Sequence, residues 1–371
     1  MRELLQRFRQ FVLKPRPVRL VTLGYLSYIV PGCILLSLPW FQSTDAVSVL
    51  DALFIATSAV STTGLGTVST SNDFNLAGQI VILILIQLGG IGYMTLGSFV
   101  VLSGGGTLSE RRQKIGKTVF SMPEGFRINK FIKSVIVFTL IIEALGAAAL
   151  FAAFTRLGTP NRVWASIFHS VSAFCTAGFA LYDTSFEHLR GDLAVNAIIG
   201  VLSYLGAIGF IVLVDAWRRL TGKISRLTLT SRIILVTTGW VTILGVGLFF
   251  VGEPTIRGLP IPERLLASAF QVMSAMTTVG FNTIPIGKLS QASLFLLTML
   301  MIIGSSPSGT GGGLKTTTFS ALIGVVKSVL RGRTQVCFSG KAIPDARVWV
   351  ASASLGLYAA TLVLLGATCS P

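Results

Sequence analysis

The chain has 371 residues, of which 52% are hydrophobic and only 12% are charged, and its mean hydropathy is +0.76. These values exclude a soluble multidomain protein and are typical of a polytopic membrane protein. A formal net charge of +16 can indicate nucleic-acid binding, but here the basic residues gather in alternate loops between apolar stretches, so we expect no nucleic-acid partner.

Long apolar stretches predict the membrane-embedded elements. In chain order they lie at residues 20–40, 76–102, 130–154, 193–214, 231–251, 291–303 with a continuation to about 330, and 347–368. Most exceed the roughly 20 residues that a helix needs to span a bilayer. We therefore expect an all-α polytopic membrane protein with seven such elements.

Three shorter segments, rich in Ser, Thr and Ala, separate pairs of these stretches. They end in Thr63-Gly64-Leu65, Ala177-Gly178-Phe179 and Val279-Gly280-Phe281. Non-helical backbone at membrane depth is tolerated only where protein or a water-filled cavity surrounds it, and its carbonyl groups can replace the hydration shell of a cation. The pattern predicts three re-entrant pore loops, although a single copy could equally be a packing element.

Asp51 lies at the predicted start of the first of these short helices. A carboxylate there complements the positive end of the helix dipole. The negative end, at Thr62 and Thr63, would then favour a cation at mid-membrane.

Two internal offsets indicate duplication. The segment 88–93 returns as 205–210, an offset of 117, and Gly64 and Gly178 differ by 114. Each repeat comprises a membrane helix, a pore segment and a second membrane helix, here called an M-P-M unit. We expect an N-terminal segment 1–17, M-P-M units at 18–102, 130–216 and 231–330, and the first helix of an incomplete fourth unit at 347–371.

A proline and several glycines interrupt the last helix of the third unit, between Gly304 and Thr318. Such residues cannot hold a helix, so the break should line a cavity. We expect an intramembrane gate, with a passive kink as the alternative. Its residues are Gly309, Gly311, Gly312, Gly313 and Lys315.

Charge predicts the topology. Segments 1–19, 103–133, 215–232 and 324–347 hold 23 of the 30 lysines and arginines. The positive-inside rule places these segments and the N-terminus in the cytoplasm of a multi-pass protein of the cell membrane, with the pore segments entering from outside.

The remaining polar residues give no sign of catalysis. The four cysteines and two histidines lack ligand spacing, so we expect no metal site and no cofactor, and without a nucleophile and base pair we expect no enzyme. His169 is expected to be packed and hydrogen-bonded. For Glu143, inside a membrane helix, a hydrogen bond to a neighbouring helix and a place on the ion path both stay open.

The chain resembles the membrane subunit of the Trk/Ktr/HKT superfamily of potassium transporters, closest to the KtrB/TrkH branch. The matching pieces are 51–54 with 63–65, 86–92, 168–170 with 177–179, 278–283 and 306–317. The resemblance implies four M-P-M units around a central pore with a filter glycine from each. By match, the filter residues are Thr63, Gly64, Ala177, Gly178, Val279 and Gly280.

The resemblance also implies partners. Members of this branch work as homodimers on a cytosolic ring of nucleotide-binding regulatory subunits of the KtrA/TrkA kind. The basic loops around 111–117, 218–226 and 331–341 are candidates for that docking, or for contacts with membrane lipids.

The function expected from all this is potassium uptake through a glycine-carbonyl filter, passive or modulated by sodium. The alternative is a sodium-coupled or sodium-selective symporter of the same architecture. Because a fourth filter glycine is expected near 380–395, we also expect the chain to be a truncated form of a longer protein, or to be completed by a partner chain.

Overall fold

The computed structural model describes residues 17–44, 47–92, 128–307, 309–332, 337–338, 341–342 and 345–369, and these are almost entirely α-helical. The helices are α1 (Pro17–Leu36), α2 (Val49–Val60), α3 (Leu76–Ile91), α4 (Ile128–Arg156), α5 (Arg162–Phe174), α6 (Leu193–Ile208), α7 (Phe210–Leu220), α8 (Leu229–Gly252), α9 (Ile261–Thr277), α10 (Gln291–Ile303), α11 (Thr316–Leu330) and α12 (Asp345–Cys369). Two-residue strands β1 (Cys337–Phe338) and β2 (Lys341–Ala342) pair antiparallel. The expected all-α fold is confirmed.

The chain divides into two compact units, residues 1–183 and 184–371. In the first, α1, α2 and α3 pack against one another, and α5 packs against α4 and α3. The core between α2 and α3 contains the buried side chains of Ile55, Ile82 and Ile86.

In the second compact unit, α9 is the central helix and contacts α6, α8 and α10. Its apolar face, with Ala267 and Val272, joins Phe249 and Leu300 in one buried cluster. The division after Asp183 falls inside the predicted M-P-M unit 130–216, so the M-P-M boundaries stay a prediction.

The helices α3, α6 and α10, which are the second membrane helices of the predicted M-P-M units, begin and end alike. The N-cap side chains of Asn75, Asp192 and Ser290 each accept a hydrogen bond from the amide three residues on. Each helix stops just before a glycine with positive φ, which is +80° at Gly92, +88° at Gly209 and +64° at Gly304. Glycine adopts this conformation at little cost and ends helices by it.

These helix ends correct two expectations. A continuous helix over 76–102 is wrong, because α3 ends at Ile91, and a continuous helix over 193–214 is wrong, because Gly209 separates α6 from α7. The glycine break expected for the third unit recurs in the second at Gly209, and in the first unit Gly92 ends α3. Residues 93–127, including the basic loop around 111–117, lie outside the described residues.

Helix length also differs from expectation. Within the described residues, two helical stretches are long and apolar enough to cross a bilayer, Lys133–Arg156 and Leu229–Gly252, or three if α6 and α7 form one bent span. Shorter apolar helices make up Thr22–Leu36, Val49–Val60, Leu76–Ile91, Gln291–Ile303 and Thr316–Leu330. The helix ends at Ile91 and Ile208 shorten two of the expected spans, whereas α1 and α12, with 20 and 25 residues, reach the expected length.

The surface of the long helices fits a lipid environment. On α8, Ile243, Leu244 and Leu248 are each about 60% exposed, and α4 exposes Ile141 and Leu145 in the same way. Contiguous exposed apolar faces of this kind mark contact with lipid or another apolar partner.

Candidate functional site

The three short helices α2, α5 and α9 end in the same backbone structure. After α2, the amide of Thr62 donates to Ala59 O at 3.2 Å, and the amide of Thr63 donates to Ser58 O at 2.9 Å. The equivalent bonds, 2.8 to 3.2 Å long, join Thr176 to Ala173, Ala177 to Ser172, Thr278 to Ala275 and Val279 to Ser274. This pair of bonds is the Schellman motif, which closes a helix when the residue after the cap is left-handed.

The left-handed position is a threonine in all three copies. The φ angles are +52° at Thr62, +50° at Thr176 and +58° at Thr278. Glycine usually occupies this position, and a β-branched residue there is a genuine outlier. Each threonine hydroxyl donates to the carbonyl of the preceding residue at 2.7 to 2.8 Å.

Sequence reasoning named Thr62 at the negative end of the first short helix, but it gave no role to Thr176 or Thr278 and foresaw the left-handed conformation of none of the three. It singled out the glycine and the residue before it, whereas the shared pattern is Ser-Ala-x-x-Thr-x-Gly, beginning at residues 58, 172 and 274. The recurrence of threonine two residues before each glycine was the signal that could have found them.

The predicted filter glycines have positive φ as well, +78° at Gly64, +73° at Gly178 and +90° at Gly280. A Cβ added to Gly64 would lie 2.4 Å from Ala177 O and 3.1 Å from Gly178 Cα. The first two predicted filter segments therefore touch backbone to backbone within the first compact unit. Val279 is buried and Gly280 exposed within the second.

Asp51 lies where the sequence placed it. Ser48 is the N-cap of α2, its Oγ accepts from the amide of Asp51 at 3.2 Å, and Asp51 Oδ2 accepts from the amide of Ser48 at 3.2 Å. This capping box fixes a carboxylate at the positive end of the helix dipole. The negative end of α2 therefore points toward Thr62 and Gly64.

The glycine-rich break between α10 and α11, residues 304–315, is a compact folded segment, called here the 304–315 loop. The amide of Ser305 donates to Gly312 O at 3.0 Å and that of Leu314 to Ile302 O at 2.9 Å. A Cβ on Gly304 would lie 2.3 Å from Gly312 O, so the two arms of the loop need glycine at this crossing.

Two neighbouring elements hold the 304–315 loop. At the end of α6, Gly206 O accepts from the amide of Thr310 at 3.1 Å and Ala207 O accepts from the amide of Ser306 at 3.0 Å. A Cβ on Gly309 would lie 2.1 Å from Ala207 O. At the end of α9, a Cβ on Gly311 would lie 2.3 Å from Thr277 O.

The side chain of Lys315 folds back onto this loop. Its Nζ donates to Gly311 O at 2.6 Å, and its backbone has a φ of +78°. The structure thus brings the predicted gate residues Gly309, Gly311, Gly312, Gly313 and Lys315 together, next to the predicted filter segment of the same compact unit.

Glu143 on α4 lies behind the second predicted filter segment. Its carboxylate accepts from Gln87 Nε2 of α3 at 3.1 Å and from Cys175 Sγ at 3.7 Å. The side chain is 6% exposed. Of the two roles left open, the hydrogen bond to a neighbouring helix is confirmed.

His169 is packed inside the first compact unit, as expected. Its Nδ1 lies 2.8 Å from Ala165 O, and its Nε2 accepts from the amide of Leu181 at 3.1 Å. The ring stacks on Tyr182 with centroids 4.9 Å apart. Both ring nitrogens are used when the imidazole is neutral, with the proton on Nδ1.

The class of protein follows from the repeated, partly non-helical segments beside helices with exposed apolar faces. Irregular backbone at membrane depth must line protein or a cavity. Within the described ranges, no group of three or more His, Cys, Asp or Glu side chains could hold a metal ion. These features belong to a membrane transport protein.

Comparison with known proteins identifies the family. Residues 31–366 match the TrkH family model, described as a cation transport protein, and the chain belongs to this family. It is 34% identical over 323 residues to Ktr system potassium uptake protein B of Vibrio alginolyticus, covering 86% of this chain and 70% of that protein. It is 33% identical over 340 residues to potassium/sodium uptake protein NtpJ of Enterococcus hirae, covering 90% and 74%.

A solved structure has the same fold. The potassium transporter TrkH from Vibrio parahaemolyticus superimposes with a TM-score of 0.63 at 21% identity, over 85% of this chain and 64% of that one. The chain thus spans less than two thirds of the length of that transporter. The relatives are transporters, which confirms the expectation of a membrane protein that is not an enzyme.

Proposed function

We propose that the chain is the ion-translocating subunit of a potassium uptake system, and that Gly64, Gly178 and Gly280 present carbonyl oxygens to dehydrated potassium. The observation that supports this most is the threefold recurrence of a Schellman helix end followed by a second positive φ two residues later. Backbone of this irregular kind leaves carbonyl oxygens that can replace the hydration shell of a cation. Neighbouring carbonyl groups can then face one ion, including those of Thr63, Ala177 and Val279.

The 304–315 loop is proposed as the gate of this pathway, with Gly309, Gly311, Gly312, Gly313 and Lys315 as its working residues. Support comes from the contact between Gly311 and Thr277 O, which puts the loop against the end of a predicted pore helix. A loop held mainly by a few backbone hydrogen bonds can leave at moderate cost.

Potassium is the proposed ion because glycine occupies all three filter positions and because relatives are named as potassium uptake proteins. Sodium is the second candidate, as a coupled or selected ion, since a relative of 33% identity is named as a potassium/sodium uptake protein.

The proposed assembly follows the charge pattern and the family. The N-terminus and the basic loops are cytoplasmic, the chain forms a homodimer, and a cytosolic nucleotide-binding subunit of the KtrA/TrkA kind docks on the basic loops. Two relatives are named as parts of a Ktr system, which supports a separate regulatory component.

Potassium uptake by cells tests this proposal. Uptake-deficient bacterial cells that produce the chain together with the other components of its uptake system are expected to grow at low potassium and to accumulate potassium faster than cells in which an empty vector replaces the gene for the chain. Excess external sodium should leave the initial rate nearly unchanged. Correctly inserted protein that gives no uptake above the vector would contradict the function, and uptake that requires sodium would favour the second candidate.

A further inference from the structure

One hydroxyl group joins the third predicted filter segment to the 304–315 loop. The amide of Gly312 donates to Thr278 Oγ1 at 2.7 Å. The same oxygen donates its own proton to Thr277 O, also at 2.7 Å. A hydroxyl can donate once and accept twice, so both bonds form together.

The peptide groups around this contact are also engaged. Gly311 lies against Thr277 O, where a Cβ would be 2.3 Å from the oxygen and 2.8 Å from Ser305 Oγ. Gly311 O accepts from Lys315 Nζ, and Gly312 O accepts from the amide of Ser305. The backbone of the loop is therefore held at Gly311 and Gly312. A movement of the loop at Gly312 acts directly on the hydroxyl of Thr278.

Thr62 provides a reference for what Thr278 does. Both threonines are left-handed, both occupy the same position of a Schellman motif, and both hydroxyls donate to the preceding carbonyl. That common geometry serves the helix end. The hydrogen bond from Gly312 is an additional contact at Thr278, made to a loop that follows the third predicted pore segment.

We propose that Thr278 is a positioning residue that couples the 304–315 loop to the third filter segment. The inference rests on the proposed function, because it assigns a gating role within that pathway. The hydroxyl holds the loop in its closed position through Gly312 and holds the Thr277 carbonyl in place at the same time. When the loop withdraws, the hydrogen bond from the Gly312 amide to Thr278 Oγ1 must break. The hydroxyl can then rotate, which weakens its hydrogen bond to Thr277 O.

Hydrogen exchange tests the contact without any flux. In Thr278→Gly the hydroxyl is lost, while glycine suits the left-handed position and keeps the helix end stable. We expect exchange at the Gly312 amide, followed by mass spectrometry on peptides from 304–315, to be about three- to tenfold faster, the loss of one hydrogen bond. Thr62→Gly is the matched control and should leave this rate unchanged. Thr278→Ser keeps the hydroxyl and should restore the wild-type rate.

Potassium uptake then tests the coupling. Thr278→Gly should raise the uptake rate above that of Thr62→Gly, and Thr278→Ser should not. In a variant that lacks Gly309–Gly313, Thr278→Gly should have no further effect, because the loop it holds is gone.

Equal exchange in Thr278→Gly and Thr62→Gly would overturn the contact. Faster exchange with unchanged uptake in a conducting protein would overturn the coupling, whereas absent uptake in the wild type contradicts the proposed function alone.

Discussion

At the scale of single residues, backbone conformation matters more than side-chain chemistry at this site. Thr62, Thr176 and Thr278 hold a conformation that costs of order 1–3 kcal/mol for a residue of this type. Such strain persists only where the surroundings fix the backbone, here through two amide bonds and one hydroxyl bond per copy. Three recurrences of the same strain in one chain support a functional constraint on these helix ends.

Gly64 should not tolerate a side chain. In Gly64→Ser the new Cβ would meet Ala177 O at 2.4 Å and would also force a serine to a φ of +78°. We expect the ratio of potassium to sodium uptake to fall about tenfold or more, which corresponds to roughly 1.4 kcal/mol of discrimination.

Gly158→Ser is the matched control for that substitution. Gly158 has a similar φ of +67° in the same compact unit, but a Cβ there would have no neighbour within 4 Å. The positive φ costs serine a comparable conformational free energy at both positions. If both variants keep the wild-type uptake ratio, Gly64 does not belong to a filter.

At the scale of elements, glycine decides where helices stop. Gly92, Gly209 and Gly304 end α3, α6 and α10, each with a positive φ, and the chain after Gly304 continues into the 304–315 loop. Glycine is also needed where two helices approach closely. A Cβ on Gly89 of α3 would lie 2.0 Å from Val60 O at the end of α2. Helix α3 is therefore held tightly against the end of α2.

Deletion of Gly309–Gly313 should raise the rate of potassium uptake. It removes the contacts of the 304–315 loop with Ala207, Thr277 and Thr278, and with them the segment that obstructs the pathway. The measurement is the initial uptake rate per inserted protein.

Gly287→Ala, outside the 304–315 loop, serves as the control for this deletion. A Cβ added there would have no neighbour within 4 Å, so the loop should stay closed and uptake unchanged. A deleted variant that folds, inserts and transports no faster than the wild type would rule out the gate.

At the scale of the whole molecule, the sequence predicted the class and the repeated segments because hydrophobicity and duplicated motifs are visible in it. The membrane class followed from composition, and the place of Asp51 in the first turn of α2 followed from helix-start chemistry, whereas the role of Ser48 as the N-cap was not predicted. The threonine conformation could not be foreseen, because propensity argues against it and only the surrounding hydrogen bonds impose it. Likewise the breaks at Gly92 and Gly209 look like ordinary apolar helix in a hydropathy pattern, and the fold of the 304–315 loop depends on contacts with α6 and α9.

The central claim is that glycine carbonyl groups select potassium in this chain. The most direct test is the ratio of potassium to sodium flux into proteoliposomes that contain the wild-type chain purified with the other components of its uptake system, measured with equal gradients of the two ions. The account predicts a preference for potassium of about tenfold or more, equivalent to roughly 1.4 kcal/mol. Equal fluxes of the two ions, or a preference for sodium, would contradict it.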